Sequence, residues 1–221
     1  MGLRGYLLPA KREPMPVALP PVPHCEAIQV PEGKKRWSLP PSWGWMPMKE
    51  ISCVICGAYY KKSDEITASS SGVRILRGGN IKDGEIVLND DDIFVTDIFS
   101  DKSNEVHKGD IVIVASTGSN ELIGKFGYAR KEMPGVRIGS FLRIVRMHDV
   151  KFAPFVHMAF MSTHYNNYIQ SLAKGVSINN IKKSYIASMT IPFPPVEEQR
   201  RIIAKEEEYF HRIYAIRNIL K

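Results

Sequence analysis

The segment IPFPPVEEQRRIIAKEEEYFHRI, from Ile191 to Ile213, joins a stiff proline joint to a long charged stretch. Three prolines fall within four residues, and a residue that precedes proline avoids the helical region, so the joint is predicted to be extended. Pro195 suits the first turn of a helix, where its missing N–H has no partner to lose. Glu197 and Glu198 then lie in that turn, where the positive end of the helix dipole favours them. A helix is therefore predicted from Val196 onward.

Apolar residues recur along this helix in steps of four and three, with Glu206 interrupting the series. Such spacing predicts a coiled-coil seam or a helix docked on another helix. At about 1.5 Å per residue the helix would be roughly 39 Å long. Two interpretations stay open, namely an arm whose partner lies elsewhere and a terminal helix packed on its own domain. The apolar seam residues are Ile202, Tyr209, Ile213, Ile216 and Leu220.

The other end of the chain differs sharply in composition. Residues 1–36 hold seven of the 15 prolines, so this stretch is predicted to be an extended linker. Trp37, Trp43 and Trp45 follow within nine residues, and folded structure is predicted to start here. We therefore divide the chain into a linker (1–36), a globular domain (37–195) and a helix (196–221).

Charge and composition narrow the class of protein. The chain has 221 residues, and 30 Lys and Arg against 23 Asp and Glu give a formal net charge of +7. A basic surplus suggests a polyanionic partner, most often nucleic acid, although a merely basic soluble protein is the alternative. No apolar run of about 18 residues occurs, so no membrane span is predicted. Three cysteines and no secretory signal core predict a cytoplasmic protein.

The middle of the chain predicts a mixed α+β domain. Short branched or alternating segments predict strands, and the Asp83-Gly84 pair predicts a tight hairpin turn. Residues 151–173 carry apolar side chains on a helical period and predict one packed helix ending before Gly175. Asn179 or Asn180 is predicted to cap a short helix through Ala187. The predicted strands lie in 73–76, 81–88, 109–116, 123–130 and 139–147.

We find no pattern of a catalytic, metal or cofactor site. Cys53 and Cys56 could form four zinc ligands with His24 and Cys25, but the upstream pair lies in the proline-rich linker. Core cysteines one turn apart on a short helix are the preferred interpretation. The stretch GSNELIGKF (118–126) has five residues between its glycines and lacks the Ser or Thr of a phosphate loop. Nuclease, methyltransferase and dinucleotide-binding patterns are also missing.

Several segments, taken together and in order, resemble the specificity subunit of type I restriction–modification systems. SYIASMTIPFPPVEEQRRIIAK (184–205) resembles the junction between a target-recognition domain and its spacer helix. LPPSWGWMPMKEI (39–51) resembles the beginning of such a domain. The remaining segments are VRILRGGNIKDGEI, KGDIVIVASTGSNELIGKFGYA and FVHMAFMSTHYNNYIQSLAKGVSINNIKKSYIASM. The resemblance covers about residues 37–221.

The resemblance implies a DNA-recognition subunit without catalysis of its own. In this family two recognition domains each read half of a split double-stranded DNA target, and two antiparallel helices hold them apart. Modification (methyltransferase) and restriction subunits perform the chemistry. This chain departs from the pattern because it holds one recognition domain and one spacer helix. It is therefore expected to be a half-size subunit or a fragment, with homodimerisation through the C-terminal helix as one way to restore the pair.

Polar residues in predicted loops and turns are the candidates for DNA contact. Arg is suited to guanine and Asn or Gln to adenine, while Lys suits phosphates. Among them we favour Arg77, Asn80, Ser119 and Asn120 for bases; Asn80 and Asn179 could instead cap local turns. The full set is Lys61, Lys62, Arg74, Arg77, Asn80, Lys82, Thr117, Ser119, Asn120, Lys125, Arg130, Lys174, Asn179, Asn180, Lys182 and Lys183.

Two other classes of function compete with DNA recognition. One is an enzyme acting on DNA, a nuclease or methyltransferase, whose site the sequence does not reveal. The other is a protein-interaction scaffold that uses the C-terminal helix alone. A catalytic assay distinguishes the first from a recognition module, and salt-dependent DNA binding distinguishes the second.

Overall fold

A computed structural model describes residues 38–67, 72–96, 102–117, 122–173 and 180–219. The predicted linker and Trp37 lie outside these residues. Within them the chain is α+β, as predicted. Its helices are α1 (Met48–Ile51), α2 (Ala153–Phe160), α3 (Thr163–Ala173), α4 (Lys183–Ser188) and α5 (Val196–Ile219).

The strands of the described residues form three sheets. They are β1 (Gly44–Pro47), β2 (Ser52–Cys56), β3 (Glu65–Ile66), β4 (Gly72–Leu76), β5 (Ile81–Lys82), β6 (Gly84–Ile86), β7 (Ile93–Thr96), β8 (Ile111–Val114), β9 (Phe126–Tyr128), β10 (Val136–Ile138), β11 (Leu142–Met147) and β12 (Thr190–Phe193).

A six-stranded sheet in the order β2-β11-β8-β9-β6-β5 forms the centre of the domain. Strand β8, within GDIVIVAS, is buried along its whole length. Ile111 and Ile113 pack into one hydrophobic core, and Val112 and Val114 pack into a second core on the opposite face. Side chains alternate across a strand, so an uninterrupted apolar run marks a sheet covered on both faces.

Different layers cover the two faces of this sheet. Phe155, Phe160 and Tyr165, from α2 and α3, pack in the core with Ile111 and Ile113. On the other face, Leu76 and Ile138 come from a second sheet, ordered β10-β4-β7-β3. Strands β10 and β4 run parallel, whereas β4–β7 and β7–β3 are antiparallel.

The first and last strands of the domain are paired. Strand β1 runs antiparallel to β12, with Met46 opposite Ile191, so the extended segment predicted before the prolines is confirmed as a strand. Helix α5 begins directly after the proline pair, as predicted. The buried side chain of Gln199 donates a hydrogen bond from Nε2 to the Pro194 carbonyl at 2.9 Å. That bond fixes the direction in which α5 leaves the domain.

The predicted hairpin is confirmed. Ile81 pairs with Ile86 and Lys82 with Glu85, leaving two residues in the turn. Asp83 and Gly84 both have positive φ, at 51° and 82°. A turn of this kind requires left-handed backbone at both positions, for which an Asp-Gly pair is well suited.

Three local predictions are wrong. The single helix over 151–173 is interrupted between α2 and α3, where Ser162 Oγ accepts a hydrogen bond from the Tyr165 backbone N–H at 3.5 Å. The short helix starts at Lys183 with Lys182 as N-cap, because Asn180 is held in a β-bridge to Ser116; Asn179 lies outside the described residues. Cys53 and Cys56 lie exposed on strand β2 rather than buried on a helix.

Gly57 and Gly139 allow two backbones to meet where β2 ends. Ala58 N–H donates to the Ile138 carbonyl at 2.8 Å, and Gly139 N–H donates to the Leu76 carbonyl at 2.9 Å. A Cβ placed on Gly57 would lie 2.0 Å from the Gly139 carbonyl oxygen. The two sheets are therefore joined, at this end, by direct backbone contact.

We expect Gly57→Ala to destabilise the domain by about 1–3 kcal/mol, because neither backbone can yield without breaking these hydrogen bonds. Chemical denaturation with the free energy of unfolding as readout tests this. Gly79→Ala is the matched control, since a Cβ there meets nothing within 4 Å. Equal stability of the two variants would contradict the tight contact.

Candidate nucleic-acid interface

One end of the six-stranded sheet gathers loops from many strands. Val114 at the end of β8 lies opposite Leu142 at the start of β11, and Arg143 lies opposite Cys56 at the end of β2. On the other side of β8, Ile113 lies opposite Phe126, so β9 begins here too. Because β6 runs parallel to β9, the 83–84 turn is at the same end. We call this the loop end of the sheet.

The second sheet adds residues to the loop end. Gly139 N–H bonds to Leu76 O, which places Arg77 beside the start of β11. Burial raises the pKa of the Tyr60 hydroxyl, and the nearby positive charge of Arg77 partly offsets this rise. Lys61 and Lys62 follow Tyr60 in the chain and are exposed. Two sheets therefore contribute cations to one surface.

The segment before α4 also reaches the loop end. Asn180 forms an antiparallel bridge to Ser116, and Ile181 N–H donates to the Ala115 carbonyl at 2.6 Å. This pairing holds exposed Lys182 and Lys183 beside the end of β8. Thr117 lies next to the bridge and is half-buried.

Sequence-predicted residues thus converge although they are far apart in the chain. Two carboxylates, Asp64 and Asp83, lie among them, and Asp64 accepts a hydrogen bond from Lys61 N–H at 2.7 Å. The predicted residues that the structure brings to the loop end are Lys61, Lys62, Arg77, Lys82, Thr117, Lys125, Asn180, Lys182 and Lys183.

A cleft of about 610 Å³ opens at the loop end between the hairpin turn and α3. Lys125 lines one side, and Asn166 and Gln170, one helical turn apart on α3, line another. Tyr165 Oη donates to the Gly124 carbonyl at 2.6 Å, which holds α3 against the start of β9. The sequence predicts this helix to be core, so neither amide is among the predicted site residues; their i, i+4 spacing is the available signal.

Two predicted residues, Asn80 and Arg74, are engaged inside the domain instead. Asn80 is buried, and its Nδ2 donates to Val87 O and to Asp92 Oδ1, while its Oδ1 caps Arg77 N–H. Arg74 pairs with the same Asp92 at 2.7 Å. These hydrogen bonds lower the pKa of Asp92, although burial opposes them. Asn80 therefore fulfils the alternative role of a local cap.

Arg130 lies at the far end of β9, away from the loop end. It pairs with Glu85 at 2.8 Å, and both line a cleft between β9, α2 and α5. The other predicted residues, Ser119, Asn120, Lys174 and Asn179, lie outside the described part of the chain.

Among the described side chains of α5, those that pack on the domain core lie near the beginning of the helix. Ile202 and Ile203 are half-buried against the core that contains α2. Further along, Tyr209, Ile213 and Ile216 are 53%, 58% and 58% exposed. Among the described side chains, packing on the domain core is therefore limited to the first turns of α5. The last seam residue, Leu220, lies outside the described residues.

Two groups with shifted pKa values line the cleft between the domain and α5. His157 stacks on Tyr128 with ring centroids 4.3 Å apart, and burial lowers its pKa to about 4. Burial also raises the pKa of Glu206, while the neighbouring Arg130 opposes the rise. His157 is thus neutral at physiological pH and packs on Tyr128 and Phe126 of β9.

Within the described ranges, no three His, Cys, Asp or Glu side chains are grouped as ligands for a metal ion. In the same ranges, no helix is both long and apolar enough to cross a membrane.

Comparison with known protein families shows the family to which this chain belongs. The model of the type I restriction modification DNA specificity domain matches residues 40–218. The chain belongs to this family. The specificity subunit of the type I restriction enzyme EcoKI from Escherichia coli (strain K12) is 32% identical over 76% of this chain and 36% of its own length. The StySPI specificity subunit from Salmonella potsdam is 30% identical over 77% of this chain and 36% of its own length.

Solved structures agree with the fold of a specificity domain. The HsdS subunit from Thermoanaerobacter tengcongensis covers 83% of this chain with a TM-score of 0.54 at 20% identity, over 41% of its own length. A chain from a type I R-M system assembly covers 83% with a TM-score of 0.57 at 20% identity, over 42% of its length. This chain spans about a third of the length of the curated relatives it matches.

Proposed function

We propose that this chain recognises one half of a split double-stranded DNA target and directs modification and restriction subunits to it. The observation that carries the proposal is the convergence of lysines and Arg77 from both sheets and the 180–183 segment at the loop end. The specificity domain family and its curated relatives support the same assignment. In this proposal residues 37–195 form the recognition domain, residues 196–221 the spacer helix, and the site of action is the cytoplasm.

The arrangement suits DNA in physical terms. Lys61, Lys62, Lys182 and Lys183 are exposed, so each can neutralise a phosphate and release a counterion. Asn166 and Gln170 offer paired donors and acceptors suited to adenine edges. Phosphate contacts position a protein on the duplex, and base contacts specify the sequence. Both types of group are present at the loop end.

We assign the chemistry of modification and cleavage to the other subunits and none to this chain. The purified chain alone is therefore expected to show no methyl transfer, ATP hydrolysis or DNA cleavage. Turnover above background, in a preparation free of other subunits, would favour the alternative of a DNA-acting enzyme.

We expect the isolated chain to bind DNA weakly, with affinity dominated by phosphates, because it holds one recognition domain. Replacing Lys182 and Lys183 together with Ala is expected to weaken binding to all duplexes. The slope of log affinity against log salt should flatten by about one unit for each phosphate that the variant no longer neutralises. Fluorescence anisotropy over a salt series measures both quantities.

Lys108→Ala with Lys131→Ala is the matched control. Both lysines are exposed, but they precede β8 and follow β9 at the opposite end of the sheet. An unchanged slope for the Lys182 and Lys183 variant, or an equal change in the control, would place the DNA elsewhere.

We further propose that the apolar seam of α5 pairs with an antiparallel copy of itself in the absence of other subunits. The seam positions, Glu206 included, follow steps of 4, 3, 4, 3 and 4 from residue 202 to 220, so they match when the helix is reversed. The distribution of charge along the helix also favours an antiparallel pair. Residues 196–208 hold five carboxylates and three cations, whereas 209–221 hold three cations and no carboxylate. An antiparallel pair would set the acidic half of one helix against the basic half of the other.

Ile213→Glu with Ile216→Glu is expected to convert the dimer to a monomer, because charges would be buried in the apolar seam. Light scattering gives the mass, and circular dichroism checks the fold. The domain should stay folded, since both side chains are exposed in the single chain.

His211→Glu with Asn218→Glu is the control, because these exposed residues lie on the helix face opposite the seam. A wild-type chain that stays monomeric at high concentration would contradict self-pairing and leave the modification subunits as the partner of α5. An unfolded Ile213 and Ile216 variant would instead favour packing of the whole helix on its own domain.

A further inference from the structure

Two exposed aromatic side chains lie at the loop end without having been predicted from the sequence. Tyr59 is 74% and Phe141 is 62% exposed, the highest values for large apolar side chains among the described residues. Ala58 bridges to Gly139, so the two aromatics extend from neighbouring backbones. Exposed apolar groups that share a surface with functional cations suggest a contact with a partner.

Phe141 is presented by a rigid turn. Leu142 N–H donates to the Gly139 carbonyl at 2.9 Å and closes the turn. Arg143 Nη1 donates to the carbonyls of Ser140 and Leu142, each at 2.7 Å. The Phe141 carbonyl accepts hydrogen bonds from the N–H groups of Ala115 and Ser116, at 2.9 and 3.0 Å. With its backbone held on three sides, Phe141 stays exposed because the turn fixes it there.

The residues around Phe141 are suited to contact with a DNA duplex. Ala115 and Ser116, which hold the Phe141 carbonyl, also pair with Ile181 and Asn180, next to exposed Lys182. An apolar ring flanked by cations complements DNA, in which base edges and thymine methyl groups lie between rows of phosphates. A purely apolar protein partner would gain nothing from the neighbouring lysines, which it would have to desolvate.

We propose that Phe141 makes an apolar contact with a base of the DNA while the lysines beside it hold the phosphates. The inference rests on the proposed DNA-recognition function and adds a specific base-contacting residue to it. Tyr59 enlarges the same apolar surface. Because this contact involves no charge, its loss should lower affinity without changing the number of counterions released.

The first test replaces Phe141 with Ala in the full chain and measures affinity for a duplex over a salt series. Binding is expected to weaken about fivefold to tenfold at every salt concentration, with an unchanged slope. Val150→Ala is the matched control, since Val150 is 59% exposed but lies beyond the opposite end of β11. Unchanged affinity, or a flattened slope, would overturn the inference.

The second test places the photoreactive residue p-benzoylphenylalanine at position 141 or at position 150. Irradiation of the DNA-bound chain is expected to cross-link position 141 to the duplex and to leave position 150 unlinked. Anisotropy confirms that the chain is bound before irradiation. A bound chain that cross-links equally from both positions, or from neither, overturns the Phe141 contact alone. A wild-type chain that binds no duplex overturns the proposed function itself, and this inference with it.

Discussion

Burial of strand β8 on both faces is the constraint on which the rest of the structure depends. Ile111 and Ile113 need the helical layer, and Val112 and Val114 need the second sheet, so neither layer can be removed without exposing apolar side chains. A sheet covered on both faces has only its edges and strand ends available for a partner. We therefore propose the loops at one strand end as the place of recognition.

Two backbone pairings hold the loops at this strand end in place, so that they form one surface. The contact of Ala58 with Ile138 and Gly139 ties the two sheets together, and the bridge from Asn180 to Ser116 ties the helical layer to the end of β8. Side chains from distant parts of the chain thereby share a fixed frame. Recognition requires such a frame, because base contacts tolerate little positional error.

The pairing of β1 with β12 likewise fixes the position of helix α5 relative to the domain. The first and last strands of the domain lie side by side, and the Gln199 hydrogen bond to Pro194 fixes the exit of α5. Ile202 and Ile203 then anchor the helix on the core, while its later apolar residues remain exposed. A partner that binds this exposed seam would be held at a defined position relative to the loop end.

Sequence reasoning succeeded where the signal was local. The Asp83-Gly84 turn, the proline joint and the continuous apolar run of β8 each follow from backbone preferences or periodicity. It failed at positions decided by tertiary contacts. The position of Cys53 and Cys56 on a strand is not visible locally, because the sheet partner of β2, strand β11, lies far along the chain. The buried position of Asn80 depends on its hydrogen bond to Asp92, which the local sequence pattern does not reveal.

In the candidate site, the exposure of Phe141 is likewise decided by contacts that the local sequence does not show. The sequence places it within an apparent strand segment, where an apolar residue suggests burial, and only the turn closed by Leu142 and Gly139 exposes it.

Hydrogen–deuterium exchange of the full chain, with and without a DNA duplex, tests most directly whether the loop end binds DNA. We predict slower exchange with DNA at 57–62, 115–117, 140–143 and 180–183, and no change at 105–110 and 147–151. Protection at the latter two ranges, with none at the former four, would contradict DNA binding at the loop end.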